Sequence, residues 1–160
     1  MKRIDVAIIG GSLAGAACVR TLARAGIDAI AIERDRFPRE KVCGGFLSPG
    51  AVEILGELDL LDPLRGAGAV PVRSARLRSE GMEFDIPFRR AGLGVSRRTL
   101  DAVLGDHNSV EHGNVLSAER QPDGRFRISM NDGSEILSKV LIDASPGLGS
   151  LRFPVTATKQ

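Results

Sequence analysis

With 160 residues, 42% of them hydrophobic, the chain is long enough to fill one globular domain, and no stretch of it is long and apolar enough to span a bilayer. A formal net charge of +2 is too small to argue for nucleic acid, and the absence of Trp and Tyr removes most stacking platforms for single strands. Cys18 and Cys43 make no disulfide framework, no ligand cluster suggests a metal, and no secretory pattern precedes the first apolar run, so a cytoplasmic protein is expected.

The run Ile4 to Ile9 is short and β-branched and ends at Gly10-Gly11, which predicts a buried strand entering a tight turn. Leu13 to Ala25 is rich in helix formers, with Gly26 where a helix C-terminal cap belongs. Ile27 to Ile32 is a second apolar strand, closed by Glu33, and the three elements make a βαβ unit. In its turn, Gly10 permits the sharp reversal, Ser12 stands where backbone approaches a pyrophosphate, and Gly15 lets the helix pack close to the strand. The helix N-terminus offers unpaired N–H groups and partial positive charge, so a diphosphate can sit there without a lysine. Glu33 falls near the spacing of about 20 residues at which an acid accepts hydrogen bonds from an adenosine ribose; it would repel a 2′-phosphate, which disfavours NADP at this site.

After Glu33 an irregular segment carries Pro38, Gly44 and Gly45, then a helix starts with Ser48 as N-cap and Pro49 at its first position, broken at Asp62-Pro63. Val72 to Ser79 and Met82 to Pro87 read as a hairpin turning at Glu80-Gly81, with Ala75 and Leu77 on one face and arginines on the other, so that one face is wet. "GVSRRTLDAVL" runs from a short strand into a helix from about Arg97 to Gly105. His107 and His112 lie in a polar loop and read as solvent-exposed. Val115 to Arg120, Arg125 to Met130 and Glu135 to Ile142, separated by "QPDG" and "NDGS", form a β-meander whose last strand is apolar enough to rejoin the parallel sheet beside the first strand.

In this order "IIGGSLAG" with Glu33, "RFPREKVCGGFLSPGAVEIL", "VSRRTLDAVL" and "KVLIDAS" resemble the N-terminal part of FAD-dependent oxidoreductases with the glutathione-reductase type of FAD-binding fold. The segment "KVCGGFLSPGA" is most similar to geranylgeranyl reductases and their neighbours, the flavin monooxygenases and halogenases. The resemblance implies an α/β, Rossmann-like FAD/NAD(P)-binding fold with an inserted β-meander. It implies that Gly10, Gly11, Ser12, Leu13, Ala14 and Gly15 hold the pyrophosphate of FAD and that Glu33 and Arg34 frame its adenosine ribose. It places Cys43, Gly44 and Gly45 near the flavin ring, gives Arg97, rather than its neighbour Arg98, a reach to FAD, and puts the Val115 backbone at the adenine. As residue types alone, Cys43 also suits packing and an arginine pair suits a solvated helix face.

The chain departs from the family pattern at "DASPGLGS", where Asp143, the residue there expected to meet the cofactor, comes one step early and Ser145 takes the acid's place. The connection from Leu104 to Val115 is shorter than the family's. The later Gly-Asp segment and the substrate domain have no counterpart, which leads to the expectation of a partial FAD-binding domain over 1–160, with the hairpin around 70–96 belonging to the substrate domain. The expected function is that of a flavin oxidoreductase acting on an isoprenoid or other small organic substrate, with NAD(P)H as candidate electron donor. A hydroxylating monooxygenase and a non-catalytic FAD-binding fragment stay open, and no catalytic acid or base is assigned. An incomplete sheet further predicts an exposed apolar face on the last strands and self-association through it.

Overall fold

The elements run β1 (Lys2–Ile9), α1 (Leu13–Arg24), β2 (Ala29–Glu33), β3 (Phe46–Leu47), α2 (Pro49–Glu57), α3 (Leu61–Gly66) and β4 (Val70–Ser79). They continue with β5 (Met82–Gly94), α4 (Arg97–Gly105), β6 (Val110–His112), β7 (Val115–Arg120), β8 (Phe126–Met130) and β9 (Glu135–Asp143). This computed structural model describes residues 1–105 and 109–145, in two units: Met1–Arg36 with the chain from Leu104 onward, and Phe37–Val103.

The first unit holds a six-stranded sheet in the order β6-β2-β1-β9-β8-β7. β1 is parallel to β2 on one side and to β9 on the other, and β2 is parallel to β6, whereas β7, β8 and β9 pair antiparallel as the meander. Thus β9 does rejoin the sheet beside β1, with Ile8 opposite Ile142 and Ile9 opposite Asp143. A strand buried on both faces must be apolar on both, which is why β1 reads as a continuous run. Val6, Ile8, Ala29 and Ala31 pack with Val19 of α1, and Ile4, Ala7, Ile30 and Ile32 pack with Ala118, Ile128 and Met130 of the meander. The amides of Asp5 and Val6 both donate to the Asp28 carbonyl at 3.0 Å, a bulge-like irregularity that breaks the alternation between Ile4 and Val6.

Helix α1 ends in a Schellman motif: Gly26, at φ +73°, donates to Ala23 O and Ile27 donates to Leu22 O, each at 3.0 Å. That turn consumes Ile27 and delays β2 to Ala29, two residues later than expected. The loop expected at His112 is instead the end of the three-residue edge strand β6, with His112 still exposed. His107 lies outside the described residues.

In the second unit β3, β5 and β4 form an antiparallel sheet. The turn is where the sequence puts it, with Glu80 at φ +47° and Gly81 at φ +83°, the two left-handed positions a tight hairpin requires. Three expectations are corrected. The break between α2 and α3 is not at Asp62-Pro63 but at Leu58–Leu60, where Asp59 sits at φ +56°; Pro63 falls in the first turn of α3, where an amide has no helical partner to lose. β5 does not stop at Pro87 but runs to Gly94, passing a register shift opposite Val72 to Ser74. Finally, both hairpin faces are exposed: Arg76 pairs with Asp85 at 2.7 Å and with Glu83 at 3.0 Å on one, while Leu77, Met82, Phe84 and Ile86 lie open on the other. Among the described residues open apolar side chains lie on the hairpin and also on the last strands, where Leu116 of β7 and Val140 of β9 are exposed while Ile136 and Leu137 are buried.

Candidate functional site

The turn from β1 into α1 is held from three directions. Gly10, at φ +95°, donates to Ile32 O at 2.8 Å, and a Cβ on it would meet Ala144 O at 2.8 Å. A Cβ on Gly11 would lie 2.8 Å from Val110 Cγ1 and 2.9 Å from Glu33 Cβ, and one on Gly15 would collide with the Gly10 carbonyl oxygen. Each glycine is thus required by a close approach: the turn to the end of β9, the turn to β2 and β6, and the helix to the turn. Ser12 starts α1 as N-cap in extended backbone, its side chain makes no capping bond, and the first helical turn carries no acid. The helix therefore keeps its positive end toward the turn, which is the condition for a bound pyrophosphate. The residues present fit a dinucleotide.

Glu33 is the buried acid of this edge, 6% exposed. Its carboxylate accepts the Gly11 amide at 3.1 Å through Oε2 and the Asp35 amide at 3.0 Å through Oε1. The backbone therefore fixes its orientation at the end of β2, next to the glycine turn. Asp143, opposite Ile9 in the ladder, accepts the Ser145 amide at 2.9 Å and the Ser145 hydroxyl at 2.6 Å, and the Ala144 amide donates to Ile9 O at 2.8 Å. Gly10, Glu33 and Asp143 thus gather at one edge of the parallel sheet, where ligands of open α/β sheets bind.

Gly11, Ser12, Leu13, Ala14 and Gly15 follow as the turn and first residues of α1, and Arg34 stands exposed just beyond β2. Val115 opens β7 opposite Met130 and packs toward the meander core; the preceding Gly113 donates to Glu33 O at 2.9 Å, so this crossing leaves β6 beside β2. In the other unit Cys43 is exposed, which removes the packing role that its residue type allows, and its sulfur accepts the Gly45 amide at 3.4 Å. Gly44 and Gly45 lead into β3, where Gly45 O accepts the Val95 amide at 2.8 Å, so the Cys-Gly-Gly segment lies alongside the strand that delivers Arg97. Arg97 is not a solvated arginine: Nε lies 3.3 Å from Oδ2 of Asp101, whose side chain is 1% exposed. The sequence reading missed Asp101, although an acid four residues after an arginine on a helix is a recognisable signal.

A parallel βαβ unit with a glycine turn, an uncapped helix start and a buried acid at the end of the second strand defines a dinucleotide-binding protein of the Rossmann-like class. Residues 3–137 match the model of a family described as FAD binding domain, and the chain belongs to that family. It is 36% identical over 161 residues to a menaquinone reductase of Mycolicibacterium smegmatis, covering 93% of this chain and 39% of that protein. It is 28% identical over 173 residues to a geranylgeranyl diphosphate reductase of Rhodobacter capsulatus, covering 98% and 41%. The structure of the flavin-dependent brominase Bmp2 superposes with a TM-score of 0.75 at 28% identity, covering 90% of this chain and 38% of that one. The chain thus spans about two fifths of the length of the curated relatives it matches. Among the described residues no helix is long and apolar enough to cross a membrane.

Proposed function

We propose that this chain provides the FAD-binding part of a flavin-dependent oxidoreductase that reduces an isoprenoid or other small organic substrate. The observation that carries the reading is the triply constrained glycine turn facing an uncapped helix start with Glu33 beside it. In this reading the amides of Ser12 to Gly15 receive the pyrophosphate, Glu33 and Arg34 take the ribose, Val115 meets the adenine, and Asp143 closes the turn from the β9 side. Cys43, Gly44, Gly45 and Arg97 keep the part that the family resemblance gives them, contacts with the flavin half. FAD supplies the redox chemistry when bound, taking up electrons from a nicotinamide donor and passing them to the substrate. The chain's own residues bind and orient it; none of them is assigned a proton transfer.

The domain expectation continues as part of this proposal: the hairpin between Val70 and Gly94 contributes to a substrate-binding part, and self-association is proposed through the last strands of the sheet, where Leu116 and Val140 are exposed. A cytoplasmic location is likewise proposed. Anaerobic mixing of the flavin-loaded protein with NADH or NADPH, followed by an isoprenoid acceptor, tests the reading. Bleaching of the flavin band and its return with the acceptor are expected. Return only on admitting oxygen, with a hydroxylated product, would assign a monooxygenase, and a flavin band that no donor bleaches would assign a binding module.

A further inference from the structure

β6 ends at a position that the family resemblance does not assign. β2 and β6 run parallel with Ala31 opposite Val110, Ile32 opposite Glu111 and Glu33 opposite His112. Side chains opposite one another on neighbouring strands share a face, and residues two apart on a strand return to it. Ala31 and Val110 pack together on the α1 side of the sheet, and Val110 Cγ1 is the atom a Gly11 Cβ would strike. His112, two residues beyond Val110, therefore projects on the same face as Glu33, at the sheet edge where the carboxylate already holds the Gly11 amide. Gly113 donating to Glu33 O fixes the strand end at this height. The imidazole is exposed, and among the described residues no further strand follows β6 on the side of Glu33 away from β1.

We propose that His112 is a further binding residue for the adenosine half of the dinucleotide, its ring forming the outer wall against which the adenine face packs. This rests on the adenosine ribose binding at Glu33. A base carried by that ribose on the α1 face extends outward over the next strand, β6, and His112 is the residue of that strand in register with the carboxylate. An aromatic ring is suited to the task because every base has a π-face to stack on.

The chain has two histidines, which makes the test direct. ADP and FMN, which share a phosphate but differ in adenosine, are titrated into the full chain while the imidazole C–H signals are followed by NMR, with His112→Ala identifying the His112 signal. ADP should shift that signal and FMN should leave it in place; His112→Ala should weaken ADP binding by about fivefold to tenfold, the low end for a lost base stack, and His112→Phe should restore it. An ADP complex with an unmoved His112 signal and unchanged affinity in His112→Ala would overturn the proposal while leaving the adenosine site in place. Absence of ADP binding to the unsubstituted chain would overturn both.

Discussion

Replacing Gly15 by alanine isolates the steric argument on which the site rests. Gly15 is not in the left-handed region, so an alanine there meets no backbone strain; its methyl meets atoms instead. The added carbon would collide with the Gly10 carbonyl oxygen, lie 2.9 Å from the Gly10 carbonyl carbon and 3.4 Å from Ile8 Cγ2. Non-bonded carbon and oxygen atoms keep about 3 Å or more apart, so the contact with the Gly10 carbonyl oxygen makes α1 and the turn separate by more than about an ångström. Overpacking of this kind costs about 1–3 kcal/mol, against which a helical Gly→Ala change returns about 0.5–1 kcal/mol. The net loss, up to about 2.5 kcal/mol, corresponds to a melting temperature lower by up to roughly 10 °C for a chain of this size. Gly50→Ala, in the first turn of α2 with nothing within 4 Å of the added carbon, is the matched control and should hold or raise the melting temperature. Thermal unfolding followed by circular dichroism, with and without FAD, reads both effects. The unsubstituted chain should gain stability from FAD, about 2.7 kcal/mol at a concentration one hundred times Kd, and Gly15→Ala should lose most of that gain. Equal melting temperatures and equal gains with FAD for the two variants would refute the reasoning.

Glu33→Ala leaves the buried Gly11 amide and the half-buried Asp35 amide without the carboxylate and should cost about 1–3 kcal/mol in urea unfolding, with Glu33→Gln costing less because its one amide oxygen still accepts from one of the two; a neutral Glu33→Ala would contradict the geometry. The Ser134 hydroxyl and amide hold the Asp132 carboxyl below its ordinary range. A depressed folded-state pKa stabilises the protein above the unfolded value of about 3.9 and loses that contribution as pH falls through the folded value. Ser134→Ala should therefore raise the Asp132 pKa in a carboxyl NMR titration and flatten the acid limb of the stability profile, and an unmoved pKa would count against the Ser134 contacts. Burial pushes the Cys18 thiol up, so an alkylating agent at mildly alkaline pH should modify the exposed Cys43 first, as mass spectrometry of the peptides would show; preferential labelling of Cys18 would reverse the placement of the two.

Most of the first unit is legible in the sequence because its signals are local and repeated. The apolar run before Gly10, the helix formers before Gly26 and the turn pairs Asp123-Gly124 and Asp132-Gly133 each have one natural reading, and the long apolar β9 points to a place in the buried sheet. What escaped is set by tertiary partners. β6 and β3 have three and two residues, too few for any periodicity, and exist because β2 and β5 offer edges. Pro63 looked like a helix breaker because proline in a helix interior is one, but in a first turn it is tolerated. The alternation of the hairpin signalled a buried face, yet what it supplies is an apolar face that the described residues leave open. At the candidate site, the tight glycine turn and the place of Glu33 at the end of the second strand were readable from spacing alone. The Asp101 partner of Arg97 and the register that brings His112 level with Glu33 required coordinates.

The account's central claim is that the turn from Gly10 to Gly15 holds the pyrophosphate of FAD. It is tested most directly by the visible spectrum of the purified chain after equilibration with excess FAD and removal of the unbound cofactor. A retained flavin band that disappears in Gly15→Val, while Gly50→Ala keeps it, is the predicted result. A chain that retains no flavin, or that retains it equally with valine at position 15, would contradict the claim.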